Sequence, residues 1–569
     1  MTVAGQGGAG VGVEVRGVVA DGSQAAVARL VHARVASRTS AGDADVWGPE
    51  ARDEARVRLA WTTLPATSRP LVPRLEALRE TLRAEGVDRV VLAGMGGSSL
   101  APEVICAAHG VPLVTLDATD PGQVRNALVE LHRTVVVVSS KSGGTVETDS
   151  QRRIFEAAFT RAGIDALSRI VVVTDPGSPL ERTATEAGYR AVFLADPHVG
   201  GRYSALTAFG LVPSALAGAD VGRLLDEALG VVEVCATDSP DNPALRLAAA
   251  VAGVRTGQDT AVDGDGDGAE LRDKLVLVDS PGSGLPGLGS WVEQLVAEST
   301  GKHGRGVLPV VVGPDAPEAR ALLPDAIRVV TTSGAGGTAA DSAEGAAGVI
   351  AEVTVTGPLG AQMLLWEHAT AAAGFLLGIN PFDQPDVESA KNAARGLLEA
   401  TPEPTPARFT DRGVAVVADA GTLPEGTAHD LDAAVATTLD HLDRTGGRGY
   451  VAVMVYLDRL AHADLAEVRD ALAARTGRPV TFGWGPRFLH STGQLHKGGP
   501  AVGVFVQVTG DLAEDLQVPG REFTLGRLKA AQAEGDADVL RALDRPVLTL
   551  RVSDAAGLAA VATALGRVG

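Results

Sequence analysis

The stretch TVVVVSSKSGGTVETDSQ, residues 134–151, decides how this chain is read. Its four consecutive valines do not alternate with polar residues, which suits a strand buried on both faces. The run stops at Ser139-Ser140-Lys141-Ser142-Gly143-Gly144-Thr145, where hydroxyls and paired glycines surround one lysine. Turns favour Ser and Gly in any case, so the loop alone is only the end of a strand. The residues after it, TVETDSQRRIFEAAFTRAG (145–163), predict a helix, and a helix N-terminus also receives anions.

Working outward, the same alternation repeats. DRVVLAG (88–94), VPLVTLD (111–117), RIVVVTD (169–175) and YRAVFLA (189–195) read as short buried strands separated by helical segments. That spacing predicts βαβ units and a parallel sheet covered on both faces. A second run follows in DKLVLVD (273–279), GVLPVVV (306–312), AIRVVTT (326–332) and VIAEVTV (349–355), ending in a long helical segment at 358–378. Beyond TPEPTPAR (401–408), which reads as a linker, YVAVMVYLD, PVTFGWG, AVGVFVQVT and VLTLRVS suggest a third, mixed α/β segment. The expected fold is α/β throughout. Its division is a helical N-terminal extension over 1–60, α/β domains over 61–240 and 241–402, and a C-terminal α/β segment over 403–569.

Composition narrows the function classes. A chain of 569 residues exceeds one hydrophobic core, in keeping with several domains. A net charge of −20 argues against a nucleic-acid or anionic-membrane surface, so any anion site must be locally basic. Two cysteines, Cys106 and Cys235, provide no disulfide framework and fit a reducing compartment. No basic segment followed by an apolar one opens the sequence, and no apolar run nears the roughly 18 residues of a membrane span. A cytoplasmic protein is the expectation. TAVDGDGDGAE (260–270) imitates a calcium loop but has Lys274 where a bidentate Glu belongs, so it reads as a solvated acidic loop. SGAGGTAADSAEGAAG (333–348) reads as a flexible insertion.

Lysine is rare, with six among 50 basic residues, and Lys141, Lys302, Lys391 and Lys497 all sit among glycines or hydroxyls. A second glycine cluster, Gly94-Met95-Gly96-Gly97-Ser98-Ser99, also lies between a strand and a helix. It lacks the small residue that a dinucleotide loop needs at Ser99, and no G-x-x-x-x-G-K-[ST] nucleotide loop occurs in the chain. Parallel strands collect their C-terminal ends on one edge, so both hydroxyl-rich loops should face one crevice. Gly200-Gly201-Arg202-Tyr203-Ser204 follows the next strand but one, and Gln294 and Glu298 lie one helical turn apart in WVEQLVAESTGK (291–302).

Taken in order, GMGGSS, SKSGGT, GGRYS, QLVAES and NPFDQPDVESAK (380–391) resemble the glucose-6-phosphate isomerase family over roughly residues 60–400. The tail QLHKGGP (494–500) is similar to isomerases known partly from fusions to transaldolase. The resemblance implies two sugar-isomerase (SIS) modules and interconversion of glucose 6-phosphate and fructose 6-phosphate, in glycolysis and gluconeogenesis, without a metal or cofactor. It implies a homodimer whose partner is a small sugar phosphate. Carried over residue by residue, Gly97, Ser98, Ser140, Lys141, Ser142 and Thr145 hold the phosphate, with Gln294 and Gln384 also on the substrate. Glu298 is the general base, Arg202 the fixed cation, and Lys391 with a histidine assists ring opening. The family's QL-x-H-x-G histidine has its nearest likeness in Gln494-Leu495-His496-Lys497-Gly498, which points to His496, with His490 as the rival. Asp386 replaces the family's usual glycine in FDQPGVE. Two alternatives accompany this reading: an enzyme that also takes mannose 6-phosphate, and a non-catalytic sugar-phosphate-binding SIS protein.

Overall fold

The computed structural model describes residues 3–6, 10–254, 271–334, 351–400, 405–510 and 514–566. The calcium-like loop at 260–270, and the insertion at 333–348 beyond residue 334, therefore lie outside the described residues.

The chain begins with β1 (Val3–Gln6) and β2 (Gly12–Gly17), paired antiparallel. This corrects the expectation of a purely helical extension over 1–60. Val11, Val13 and Val15 are buried while Glu14 and Arg16 bond to each other at 2.9 Å, so the alternation is that of a half-buried strand. Short helices follow, and then the first sheet: β3 (Arg89–Gly94), β4 (Val114–Leu116), β5 (Thr134–Ser139), β6 (Ile170–Thr174) and β7 (Ala191–Leu194). All its pairings are parallel and the order is β4-β3-β5-β6-β7. The chain leaves β3 toward one edge and β5 toward the other, which opens a crevice between their C-terminal ends. GMGGSS and SSKSGGT are the loops at those two ends.

The second sheet contains β8 (Lys274–Val278), β9 (Leu308–Val312), β10 (Ala326–Thr332) and β11 (Ala351–Thr356). Its order is β1-β2-β11-β10-β8-β9, so the N-terminal hairpin caps an otherwise parallel sheet through the antiparallel pair β2–β11. The third sheet takes β12 (Phe409–Asp411), β13 (Val414–Val417), β14 (Tyr450–Tyr456), β15 (Val480–Trp484), β16 (Gly503–Gly510) and β17 (Val547–Val552). Its order, β12-β13-β17-β16-β14-β15, repeats the second sheet: four parallel strands flanked by an antiparallel hairpin.

The valine run of β5 is buried from end to end, as its lack of alternation requires. Val135 and Val137 join one core and Val136 and Val138 another. The first of these cores also takes Leu275 and Leu277 of β8, so the two sheets share a layer of helices. Helix Leu359–Leu377 lies in that layer and is buried on nearly all sides, which explains why its sequence has no polar stripe. Among the described residues no helix is long and apolar enough to cross a membrane.

The outer faces are covered by the C-terminal segment. Val518, Leu525 and Leu528 pack on the outer side of the first sheet, with Val136 and Val138. Tyr450, Met454 and Phe505 pack with Val276 and Val310 of the second.

Candidate active site

The crevice between β3 and β5 opens into a cleft of about 1400 Å³. Among the described residues, eight basic and five acidic side chains line it, against the acidic balance of the whole chain. This is the local basicity that an anion site in such a protein requires.

Its floor is made of backbone in close approach. A Cβ on Gly97 would stand 2.0 Å from the carbonyl oxygen of Gly201, so GMGGSS and GGRYS touch only because residue 97 is glycine. Gly143 turns the second loop at φ +69°, where a side chain would also meet the backbone of Leu180. Within that loop the Ser140 hydroxyl donates to Thr145 Oγ1 at 3.0 Å, and Gly144 N–H donates to Ser142 Oγ at 3.2 Å. Gly97, Ser98, Ser140, Ser142 and Thr145 all line the cleft. Lys141 lines it too, but its ammonium donates to Asp175 Oδ2 at 2.6 Å. Burial raises the Asp175 carboxyl above its ordinary range, against the pull of the Lys141 ammonium.

Glu298 enters from the second module on helix Leu288–Thr300. Gln294, one turn earlier, donates from Nε2 to Glu298 Oε2 at 3.2 Å and to the His490 carbonyl at 2.6 Å. Glu298 and Arg202 are each 5% exposed, and Arg202 Nη1 stands 3.8 Å from Glu298 Oε1. The guanidinium is held in place by carbonyl acceptors: Glu298 O at 2.8 Å and Phe382 O at 2.8 Å, with Pro381 O and Asp383 O at 3.3 Å. It therefore stands as a fixed positive charge beside a nearly buried carboxylate.

Lys302 completes the arrangement from beneath. Its ammonium is fully buried and donates to Asn380 O, Asp383 O and Asp383 Oδ1 at 2.6, 2.7 and 2.6 Å. Burial, with Arg202 nearby, pushes the Lys302 pKa down to about 8, although Asp383 and Glu298 oppose the shift. Arg202 and Lys302 together shape the 380–383 loop, after which the exposed Gln384 lines the cleft. Lys391 lies on the following helix, Pro385–Ala400, and its side chain is outside the described residues.

The histidines exchange places relative to expectation. His496 is not brought to the cleft. It is 3% exposed, packed on Tyr450 and Phe505 with ring centroids at 6.0 and 5.2 Å. Neither ring nitrogen has a hydrogen-bond partner among the described residues. Desolvation, then the charges of Lys497 and Arg545, press its pKa down to about 3. The QLHKGG motif acts elsewhere: Gln494 Nε2 donates to Asp386 Oδ2 at 2.6 Å and Gly301 O at 2.8 Å, while Asp386 N–H donates to Gln494 Oε1 at 3.0 Å. Asp386, foreign to the family pattern, thus has its partner in this chain.

His490 does line the cleft. It sits on the turn Arg487–His490, with Nε2 3.4 Å from Glu147 Oε1. Arg487 anchors that turn on the first sheet, donating to Asp117 Oδ2 at 2.7 Å and pairing with Glu103 at 2.6 Å. Sequence reasoning missed Glu147, which lies just after SKSGGT and accepts from Gln532 Nε2 at 2.6 Å. It also missed the cleft wall at Gly520, Arg521, Glu522 and Phe523, where no motif marks the segment.

Two hydroxyl loops at the switch point of a parallel sheet, facing Arg202 of the same module and Glu298 of the second, define the class: an α/β protein of the sugar-isomerase type. No family model matches the chain. Curated relatives do. A glucose-6-phosphate isomerase of Geobacter sulfurreducens is 31% identical over 373 residues, 56% of this chain and 68% of the relative. A protein of Natronomonas pharaonis, named a probable glucose-6-phosphate isomerase, is 31% identical over 392 residues, 61% of this chain and 87% of the relative. The match to the Citrifermentans bemidjiense enzyme of the same name, 32% identical, spans 66% of that relative's length. The chain belongs to the glucose-6-phosphate isomerase family, whose members are aldose–ketose isomerases. Solved structures agree on the fold. A hypothetical protein of Thermus thermophilus aligns over 68% of this chain and 99% of its own at TM-score 0.53 and 24% identity. A glucose-6-phosphate isomerase of Chlamydia trachomatis aligns over 69% and 89% at TM-score 0.50 and 20% identity.

The burial of His496 has a pH consequence. Its folded pKa lies below the ordinary value of 6.5, so the unfolded chain binds the extra proton first as pH falls. Stability from this group is full above about pH 6.5 and is lost as pH falls toward 3; buried His368 adds the same trend. In urea titrations at pH 7 and 4.5, His496→Phe should lose less of its stability on acidification than the wild type. Its turnover should stay within about threefold, whereas His490→Ala should slow reaction from the cyclic sugar more than from an open-chain analogue. Loss of turnover in His496→Phe with normal folding would return that histidine to the chemistry.

Proposed function

We propose that this chain interconverts D-glucose 6-phosphate and D-fructose 6-phosphate through an enediol or enediolate. The observation that carries the reading is the near-buried pair Glu298–Arg202 across one cleft from the hydroxyl loops at Ser98 and Ser140–Thr145. A protein that merely senses sugar phosphates needs the loops and has no use for the pair.

The loops hold the phosphate, the end of the sugar that does not react. Hydroxyls and backbone N–H groups suit a group with acceptor oxygens in several directions. Isomerisation then moves one proton between C2 and C1. Glu298 takes that proton and returns it to the neighbouring carbon, with Gln294 orienting one carboxylate oxygen. Negative charge grows on the substrate oxygens as the proton leaves. Arg202, immobilised by four carbonyls, offers a positive charge that needs no reorganisation to meet it. Sugar phosphates are mostly cyclic, so a proton must also reach the ring oxygen. His490, with Glu147 behind it, is our candidate, and Lys391 is retained from the family resemblance.

We further propose a cytoplasmic homodimer. Two free, buried cysteines fit a reducing compartment, and sedimentation at two protein concentrations tests the assembly.

In a coupled assay the wild type should turn over glucose 6-phosphate equally with and without a chelator. Glu298→Gln should keep binding substrate and lose at least about a hundredfold in rate. Near-normal turnover in that variant would remove Glu298 from the mechanism, and no turnover by the wild type would favour the sensor.

A further inference from the structure

The parallel strands of this protein are largely apolar on both faces, and a charged pair within the second sheet is satisfied internally, Arg328 of β10 donating to Glu352 of β11 at 2.8 Å. In β5 both faces are valine, and in β10 Ile327 and Val329 face one core while Ala326 and Val330 face another. In the third sheet one face follows suit, with Val506, Val508, Leu548 and Leu550. The other begins with Phe505 and Val547 and then becomes polar: Gln507, Thr509, Thr549 and Arg551. Register sets Gln507 beside Thr549 and Thr509 beside Arg551, so the four make one patch toward the C-terminal ends of β16 and β17.

Helix Leu525–Ala542 covers that patch with Ala531, Ala533 and Ala537, which are too short to fill the space above it. A cavity of about 190 Å³ results, bordered also by Leu397 and Thr405. It is a separate space from the active-site cleft, although Arg527 borders both.

Arg541 Nη2 donates to Thr549 Oγ1 at 3.1 Å, Thr549 to Gln507 Oε1 at 3.2 Å, and Gln507 Nε2 to Ala533 O at 2.8 Å. This chain of bonds and the ion pair of Arg541 Nη1 with Asp538 Oδ1 at 3.1 Å fix Arg541, yet its Nε is buried with no partner among the described residues. For Arg551 no side-chain hydrogen bond or ion pair exists among the described residues. Glu534, the one carboxylate on the lining among the described residues, accepts from Thr405 N–H at 3.0 Å and Thr405 Oγ1 at 2.9 Å. Lys529 is paired with Asp120. A buried donor without an acceptor costs stability, and Arg541 Nε is such a donor beside this cavity.

We propose that this cavity is a second ligand site, for a small phosphate monoester of three or four carbons. Guanidiniums at Arg551 and Arg527, with the Nε of Arg541, match a dianion with several acceptor oxygens. The space exceeds a free phosphate ion and falls short of a typical drug-sized pocket. Gln507 and the threonine hydroxyls suit a hydroxylated carbon chain. The position is on a sheet face under helix Leu525–Ala542, toward the C-terminal ends of β16 and β17.

Calorimetric titration of the full chain with glycerol 3-phosphate tests this directly. The wild type should bind one equivalent per chain at this cavity. Arg551→Ala, which removes a charge, and Ala533→Leu, which fills the space, should each weaken that event at least tenfold and leave basal isomerase turnover unchanged. Thr145→Ala, in the cleft loop, should leave it intact. Binding that survives either cavity variant, or that disappears with Thr145→Ala, overturns the proposal. Inorganic phosphate binding as tightly as the ester would overturn the assignment to an ester.

Discussion

A parallel sheet has two apolar faces, and neither tolerates water. In this chain that constraint arises twice before residue 360, in the sheets built on β5 and on β8. Their inner faces are satisfied by one shared layer of helices, with Leu359–Leu377 at its centre. Their outer faces are left for residues beyond the linker to cover: Val518, Leu525 and Leu528 on one, Tyr450, Met454 and Phe505 on the other. The C-terminal segment is thereby part of the same packing unit. Its docking delivers the turn Arg487–His490 to the cleft, so a catalytic candidate arrives as a consequence of burial.

The cleft itself is organised by cations satisfied by carbonyl oxygens. Arg202 reaches from the first module to the backbone of Glu298 and of residues 381–383. Lys302 reaches the same loop from below. Between them they tie together three segments distant in sequence, and their hydrogen bonds leave the Glu298 carboxylate to Gln294. The five lysines with described side chains (Lys141, Lys274, Lys302, Lys497 and Lys529) each face an aspartate, and four of them are buried. A compact ammonium fits such tight pairs where a guanidinium would need more room.

Much of this was legible before any coordinates. Unbroken valine runs ending in glycine and hydroxyl loops predict parallel strands and a crevice, and one helical turn between Gln294 and Glu298 predicts their common face. The strand β2 was equally visible in the alternation of Val11, Val13 and Val15, but glycine-rich surroundings masked it. The histidines were not legible. His490 and His496 both sit in Gly- and Ser-rich sequence, and burial, which separates them, depends on Tyr450 and Phe505 from distant strands. The motif around His496 drew attention for its likeness, while its actual work is done by Gln494 on Asp386 and Gly301.

The central claim is that a carboxylate moves a proton, with exchange to solvent, between two carbons of a sugar phosphate. Partial conversion of glucose 6-phosphate in D2O, followed by NMR of both sugars, reads this most directly. The account predicts deuterium at C1 of the fructose 6-phosphate formed and at C2 of recovered glucose 6-phosphate, and its disappearance in Glu298→Gln. Full turnover with no deuterium at either carbon would indicate hydride transfer and contradict it.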